Sequence, residues 1–196
     1  FDEISDDSIR KVKRQLKERQ NDSPLVSVVL IAHNEERHLI SCIWSLSENH
    51  CHFPIEIIAV NNNSTDKTEE VLKSLGVTYY NETKKGPGYA RQCGLDHAKG
   101  EFISFIDSDD FVDPEMFYDM MNGIMNSSAD AAVCDIKLVY DDKTERVWPC
   151  TNSAKTDAFE AVIDMPMMAS SCNKIIRKSL FDGIYFPKGI NNEDIA

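Results

Sequence analysis

Phe102-Ile103-Ser104-Phe105-Ile106-Asp107-Ser108-Asp109-Asp110 is a short apolar run that ends abruptly in three carboxylates and a serine. Five residues rich in Ile and Phe, too few for a helix, predict a buried strand. Leu25 to Ile31, Ile55 to Val60 and Val77 to Tyr80 have the same β-branched, nearly continuous apolar character. Between these runs lie segments with helical spacing: Glu35 to Ser47, Asp66 to Leu75 and Tyr89 to Ala98. Ser64-Thr65-Asp66 offers caps for the second of them. Apolar strands alternating with helices indicate parallel βαβ units whose sheet is covered on both faces, an α/β fold.

In an open α/β sheet, ligands bind in the crevice beyond the carboxyl ends of the strands. The residues after the strands are Ala32-His33-Asn34-Glu35, Asn61-Asn62-Asn63-Ser64 and Asp107-Ser108-Asp109-Asp110. All three runs are polar, and the topology gathers them along one edge. That edge is the predicted functional site.

Two carboxylates one residue apart on such a loop can share a hard cation. Magnesium or manganese takes oxygen ligands and completes its shell with water and substrate phosphate. Spacing alone fits a second reading equally, a solvated loop capping the segment that starts near Pro114. Gly86-Pro87-Gly88 precedes the helix holding Arg91. Glycines admit close approach of a ligand, a helix start attracts anions, and an arginine fork suits phosphate or carboxylate. The alternative there is a tight turn with Arg91 paired to a structural carboxylate. The five histidines form no ligand set, and only His33 lies on the ligand edge. Glu193-Asp194 could supply a general base, but an acidic pair near a chain end carries no signal by itself.

Composition narrows the classes. The chain has 196 residues, room for one good-sized α/β domain with its own core. A net charge of −12 repels phosphate backbones, so nucleic acid is not an expected partner. The same charge does not exclude a nucleotide, because a bound divalent cation reverses the local sign. No stretch approaches the roughly 20 apolar residues needed to span a bilayer, and no N-terminal run reads as a secretion signal. The six cysteines include no Cys-x-x-Cys pair and their spacing suggests no zinc site. They read as buried free thiols of a reducing compartment, which places the chain in the cytoplasm. A Cys42–Cys51 disulfide has no positive support.

Residues 5–20 predict a separate helix. Ile9, Val12 and Leu16 form its apolar stripe, and Arg10, Lys11, Lys13, Arg14, Lys17 and Arg19 crowd the rest. Such a basic amphipathic helix fits packing on the domain, packing on a second copy in a homodimer, or peripheral contact with an anionic membrane at its inner face. Asn21-Asp22-Ser23-Pro24 breaks the chain, so residues 1–22 separate from a domain spanning 24–196. Beyond Pro114, helices are expected at Glu115 to Met125 and Thr156 to Ile163. Antiparallel strands are expected at Ala131 to Tyr140 and Arg146 to Cys150. A further strand at Ser170 to Ile176 and a helical turn at Arg177 to Phe181 complete the reading. This half should extend the same sheet and cover the site.

Together these segments resemble the family 2 glycosyltransferases, which have the GT-A fold. The resemblance runs from Val26 to Asp194. Val26 to Glu36 is similar to the family's opening strand and loop, and Val60 to Thr68 to its second strand end. Gly86-Pro87-Gly88-Tyr89-Ala90-Arg91-Gln92 with Gly94-Leu95 resembles its third motif. Lys99 to Asp110 is the most specific match, and Asn173-Lys174, Phe186-Pro187 and Glu193-Asp194 follow in order.

The resemblance implies a mostly parallel central sheet with flanking helices, here with an extra N-terminal helix. It implies metal-dependent, inverting transfer of a hexosyl or N-acetylhexosaminyl group from a nucleotide-diphosphate sugar to an acceptor hydroxyl. The acceptor would be a saccharide or lipid-linked saccharide in surface polysaccharide or glycolipid synthesis. The implied donor-binding residues are Ala32, His33, Asn34, Glu35, Asn62, Ser64, Gly86, Arg91, Asp107 and Ser108. Asp107 and Asp109 would hold Mn2+ or Mg2+, and Asp194 would be the general base.

Two departures bear on this. The family often has Asp-Asp or Asp-Asn where this chain has Asn61-Asn62, and Asn where it has Gln92. Asn accepts a hydrogen bond but also donates, so uridine is favoured without being settled. The chain stops two residues after Asp194, inside what the family would make a helix, so a missing C-terminal part is expected.

Rival classes fit less well. A haloacid dehalogenase-type phosphatase places Asp-x-Asp after its first strand, and here it follows the fourth. A sugar-nucleotide pyrophosphorylase needs a Gly-rich, Arg-containing first loop, which Ala32-His33-Asn34-Glu35 is not. A non-catalytic nucleotide-sugar-binding domain remains the alternative function.

Overall fold

Strand β1 (Val26–Ala32) is the centre of a six-stranded sheet ordered β3-β2-β1-β4-β8-β5. The structure, a computed structural model, describes residues 6–19, 21–150 and 170–186. Strands β2 (Ile55–Asn62), β3 (Thr78–Glu82) and β4 (Phe102–Asp107) run parallel to β1. Helices α2 (Leu39–Ser47), α3 (Thr68–Leu75) and α4 (Pro87–His97) make the crossovers. Helix α5 (Met116–Ser127) follows β4. The far edge is β8 (Lys174–Arg177) and β5 (Ala131–Val133), each antiparallel to its neighbour. This is the expected α/β class with a mostly parallel sheet.

The strands of the core alternate sides as the period of two requires. Val28 and Leu30 join a cluster with Leu39, Ile43 and Phe117 from α2 and α5. Val29 points the other way, into a cluster with Ala90 and Leu95 of α4. α4 can lie this close because residue 94 is glycine: a Cβ there would meet Val29 Cγ1 at 2.2 Å.

The N-terminal helix α1 (Asp6–Arg19) packs on this same core. Val12 and Leu16 are buried beside α2, and burial of such side chains contributes about 1.5–3 kcal/mol each. Lys11 Nζ lies 2.7 Å from Glu48 Oε2, and Gln15 Nε2 donates to Glu48 Oε1 at 2.8 Å. Arg19 donates to Asn49 Oδ1 at 2.9 Å. Of the three readings of this helix, packing on its own domain is the contact present. Among the described residues no helix is long and apolar enough to cross a membrane.

The second half corrects one expectation. The strand read over Ala131 to Tyr140 is two strands on different sheets. β5 stays in the main sheet, whereas β6 (Ile136–Val139) pairs with β7 (Glu145–Trp148) in a separate antiparallel hairpin. The break falls at Cys134-Asp135. Cys134 N–H still donates to Asn173 O on the β8 side, while Asp135 Oδ1 accepts from Cys150 N–H near the hairpin. Period-two apolarity cannot show that a strand changes partner. The strand expected from Ser170 begins at Lys174, and a 3-10 helix, Lys178–Phe181, follows it. The helix expected at Thr156 to Ile163 lies outside the described residues.

Candidate active site

Register brings the polar strand ends together: Ala32 stands opposite Asn61, and Ile31 opposite Asp107. The loops after β1 and β2 are stapled to each other. Asn34 takes a left-handed backbone, φ 58°, which Asn tolerates better than most residues. Its N–H donates to Ser64 Oγ at 3.0 Å, and its Oδ1 accepts from Thr65 N–H at 2.8 Å. Glu35 N–H donates to Thr68 Oγ1, and Glu36 N–H to Asp66 Oδ2. His33 Nδ1 is 2.7 Å from Asn62 O. A carbonyl only accepts, so Nδ1 is the donor in this contact.

Asn62 is buried and ties β2 to the loop after β3. Its Nδ2 donates to Lys84 O at 2.7 Å and to Glu82 O at 3.3 Å, and its Oδ1 accepts from Gly86 N–H at 2.9 Å. Gly86 has φ 136°, a conformation glycine adopts without strain, and Pro87 then opens α4.

Asp107, at the end of β4, is held on both oxygens. Arg91, on α4 and 4 % exposed, places Nη2 3.3 Å from Oδ1. Cys172 Sγ lies 2.9 Å from Oδ2 and donates its S–H. Burial, and then the Asp107 charge, push the Cys172 thiol up to about 12, so it stays protonated there. Cys42 Sγ is 3.6 Å from Asp107 O. Asp110 folds back, its N–H donating to Asp107 O at 3.1 Å. Although the residue as a whole is exposed, its carboxyl faces protein; burial, then Asp107 and Asp109, raise it to about 6. Negative charge is thus in excess around residues 107–110.

A cavity of about 440 Å³ opens on this edge, within the range of small-molecule sites. Of the residues expected from the sequence, Ala32, His33, Glu35, Asn62, Gly86, Asp107, Ser108 and Asp109 line it. Asn34, Ser64 and Arg91 do not; they brace its walls. Asp194 lies outside the described residues. Sequence reasoning missed Lys85, which lines the cavity beside Gly86, although two lysines before a glycine-rich helix start were a usable signal. It also missed Cys172, and it placed Asp110 on the ligand edge without giving it a role of its own. A second cavity, about 330 Å³, opens at the other end of the strands around Arg19, Glu56 and His97. Glu56 there accepts from Ser27 Oγ–H and Lys99 N–H, so its carboxylate serves the fold.

The sequence profile of glycosyl transferase family 2 matches residues 27–184. The chain belongs to glycosyltransferase family 2. Its fold is GT-A: Staphylococcus aureus TarS, residues 1–349, in complex with UDP-GlcNAc superimposes with a TM-score of 0.69 at 26 % identity. That match covers 87 % of this chain and 51 % of the TarS chain. The Streptococcus pneumoniae glycosyltransferase GlyG is 25 % identical over 193 residues, 89 % of this chain and 64 % of GlyG. The Pyrobaculum calidifontis mannosyltransferase PcManGT, in complex with GDP-Man and Mn2+, shares the fold alone. Its TM-score is 0.63 at 17 % identity, over 95 % of this chain and 56 % of that one. The chain spans about half the length of two curated relatives it matches, 49 % of one and 54 % of the other.

Proposed function

We propose that this family 2 chain transfers a sugar, by inversion, from a uridine-diphosphate sugar to an acceptor hydroxyl. The observation that carries the reading is the 440 Å³ cavity at the strand ends, walled on one side by Asp107-Ser108-Asp109. The TarS structure holding UDP-GlcNAc supports a uridine donor and an N-acetylhexosaminyl group. TarS is a poly(ribitol-phosphate) β-N-acetylglucosaminyltransferase, which supports a surface-polymer acceptor.

The residues fit a divalent cation. Asp107, Asp109 and Asp110 put three carboxylates within four residues, and their mutual repulsion would be relieved by Mn2+ or Mg2+. Asp107 and Asp109 would hold the ion. When bound, it would offset charge developing on the departing diphosphate. The loops at Ala32–Glu35 and Asn61–Ser64 would hold the nucleoside, with Gly86 and Lys85 flanking the diphosphate. Asp194 would take the acceptor proton, a contribution of typically ~10²–10⁴-fold.

Residues 24–196 would form the transferase domain, working in the cytoplasm. The exposed Arg10, Lys13, Arg14 and Lys17 of α1 would carry any contact with an anionic membrane face or a second subunit. The test is a panel of nucleotide sugars assayed with Mn2+ for slow hydrolysis and transfer. Turnover of a UDP-sugar supports the proposal. Tight binding of a UDP-sugar with no turnover would favour a binding domain.

A further inference from the structure

The proposed hard-cation pair, Asp107 and Asp109, leaves Cys172 and Asp110 unassigned. Cys172 takes the Asp107 oxygen that Arg91 leaves: Arg91 sits on Oδ1, and Cys172 on Oδ2. One ligand atom from each of Asp107, Asp110 and Cys172 lies within 4.8 Å of the others. Around a tetrahedral ion with sulfur and oxygen ligands, neighbouring donors stand ~3.3–3.7 Å apart. The set is therefore within about an ångström of a ligand triangle, which a small rotation of the Asp110 side chain can close.

We infer that Cys172, Asp107 and Asp110 form a site for a thiophilic divalent cation, Zn2+ or Cd2+, with Cys172 bound as thiolate. The ion takes the place of the thiol proton. The S–H bond breaks, the sulfur–metal bond forms from the sulfur electron pair, and the proton leaves to water. Asp107 Oδ2 exchanges an accepted S–H for the metal. Two carboxylates and a thiolate give the ion three anionic ligands. Magnesium and other hard cations prefer all-oxygen shells and leave the thiol protonated. A soft ion and the hard ion proposed at Asp109 both need Asp107, so they compete. That consequence rests on the transferase reading; the soft-ion site itself does not.

The test uses the full, reduced chain and Cd2+ alone, without nucleotide, followed by the ultraviolet thiolate-to-cadmium charge-transfer band. The band should rise with one equivalent of Cd2+ and vanish in Cys172→Ser. It should persist in Cys93→Ser, a control outside the cluster on α4. Asp110→Asn keeps the band at saturation but weakens Cd2+ binding by at least ~10-fold, and it carries the test should Cys172→Ser misfold. A band that survives Cys172→Ser, or Cd2+ affinity unchanged in Asp110→Asn, overturns the inference. Either result alongside intact UDP-sugar binding overturns this site alone and leaves the proposed transfer standing.

Discussion

Arg91 Nη2 stands 3.3 Å from Asp107 Oδ1, a buried guanidinium at the root of the carboxylate loop. The charge on α4 thereby fixes the rotamer of the first aspartate of Asp-x-Asp. Arg91→Met should weaken Mn2+-dependent nucleotide binding by ~10–100-fold, as losing the outer partner of a metal ligand does. It should also cost about 2 kcal/mol of stability, less than a fully buried pair because Asp107 is partly solvated. Urea denaturation and calorimetry on the same variant check both. Unchanged donor affinity would remove Arg91 from any positioning role.

Asn62 holds the loop after β3 through both ends of its side-chain amide. Two backbone carbonyls, Glu82 O and Lys84 O, need the donors that only an amide supplies. Asn62→Ala loses three hydrogen bonds, a cost of about 2–3 kcal/mol. Asn62→Asp should be worse, because it turns a carboxylate toward those carbonyls. Chemical denaturation should rank wild type above Asn62→Ala above Asn62→Asp. An Asn62→Asp variant as stable as wild type would mean the loop is held otherwise.

The seating of α1 should depend on pH through Glu48. Hydrogen bonds from Lys11 and then Gln15 hold its carboxyl below the usual carboxylate range. The folded state therefore favours the ionised form. Its contribution is fully present above the unfolded value, about 4.3, and is lost as pH falls through the lower folded value. Because the pair is near the surface, the difference between wild type and Glu48→Gln should be about 1 kcal/mol at neutral pH and vanish in acid. Urea unfolding at several pH values measures it. A constant difference across that range would contradict the assignment.

Much of this is legible in the sequence. The strands ending at Ala32, Asn62 and Asp107 are short apolar runs with polar ends, and parallel pairing brings such ends together. The register of Ala32 with Asn61 and Ile31 with Asp107 is that expectation realised. What was not legible depends on long-range contact. Cys172 lies 65 positions from Asp107, and nothing in its local sequence marks it as a partner. Arg91 was readable as an anion binder or as the partner of a carboxylate, but that the carboxylate is Asp107 follows from how α4 packs, which spacing does not encode. The strand at 131–140 divides because Cys134-Asp135 hand the chain from one sheet to another, while its apolar pattern continues across the break.

In the proposed function, the edge formed by Asp107-Ser108-Asp109 holds a nucleotide sugar through a divalent cation. Isothermal calorimetry of UDP-GlcNAc binding to the full chain tests it most directly. Wild type and Asp109→Ala are compared in Mn2+ and after chelation, with circular dichroism confirming that both are folded. Binding should require Mn2+ in wild type, and Asp109→Ala should lose at least ~10-fold of that affinity. Equal affinity with and without the metal, or between wild type and Asp109→Ala in Mn2+, would contradict it.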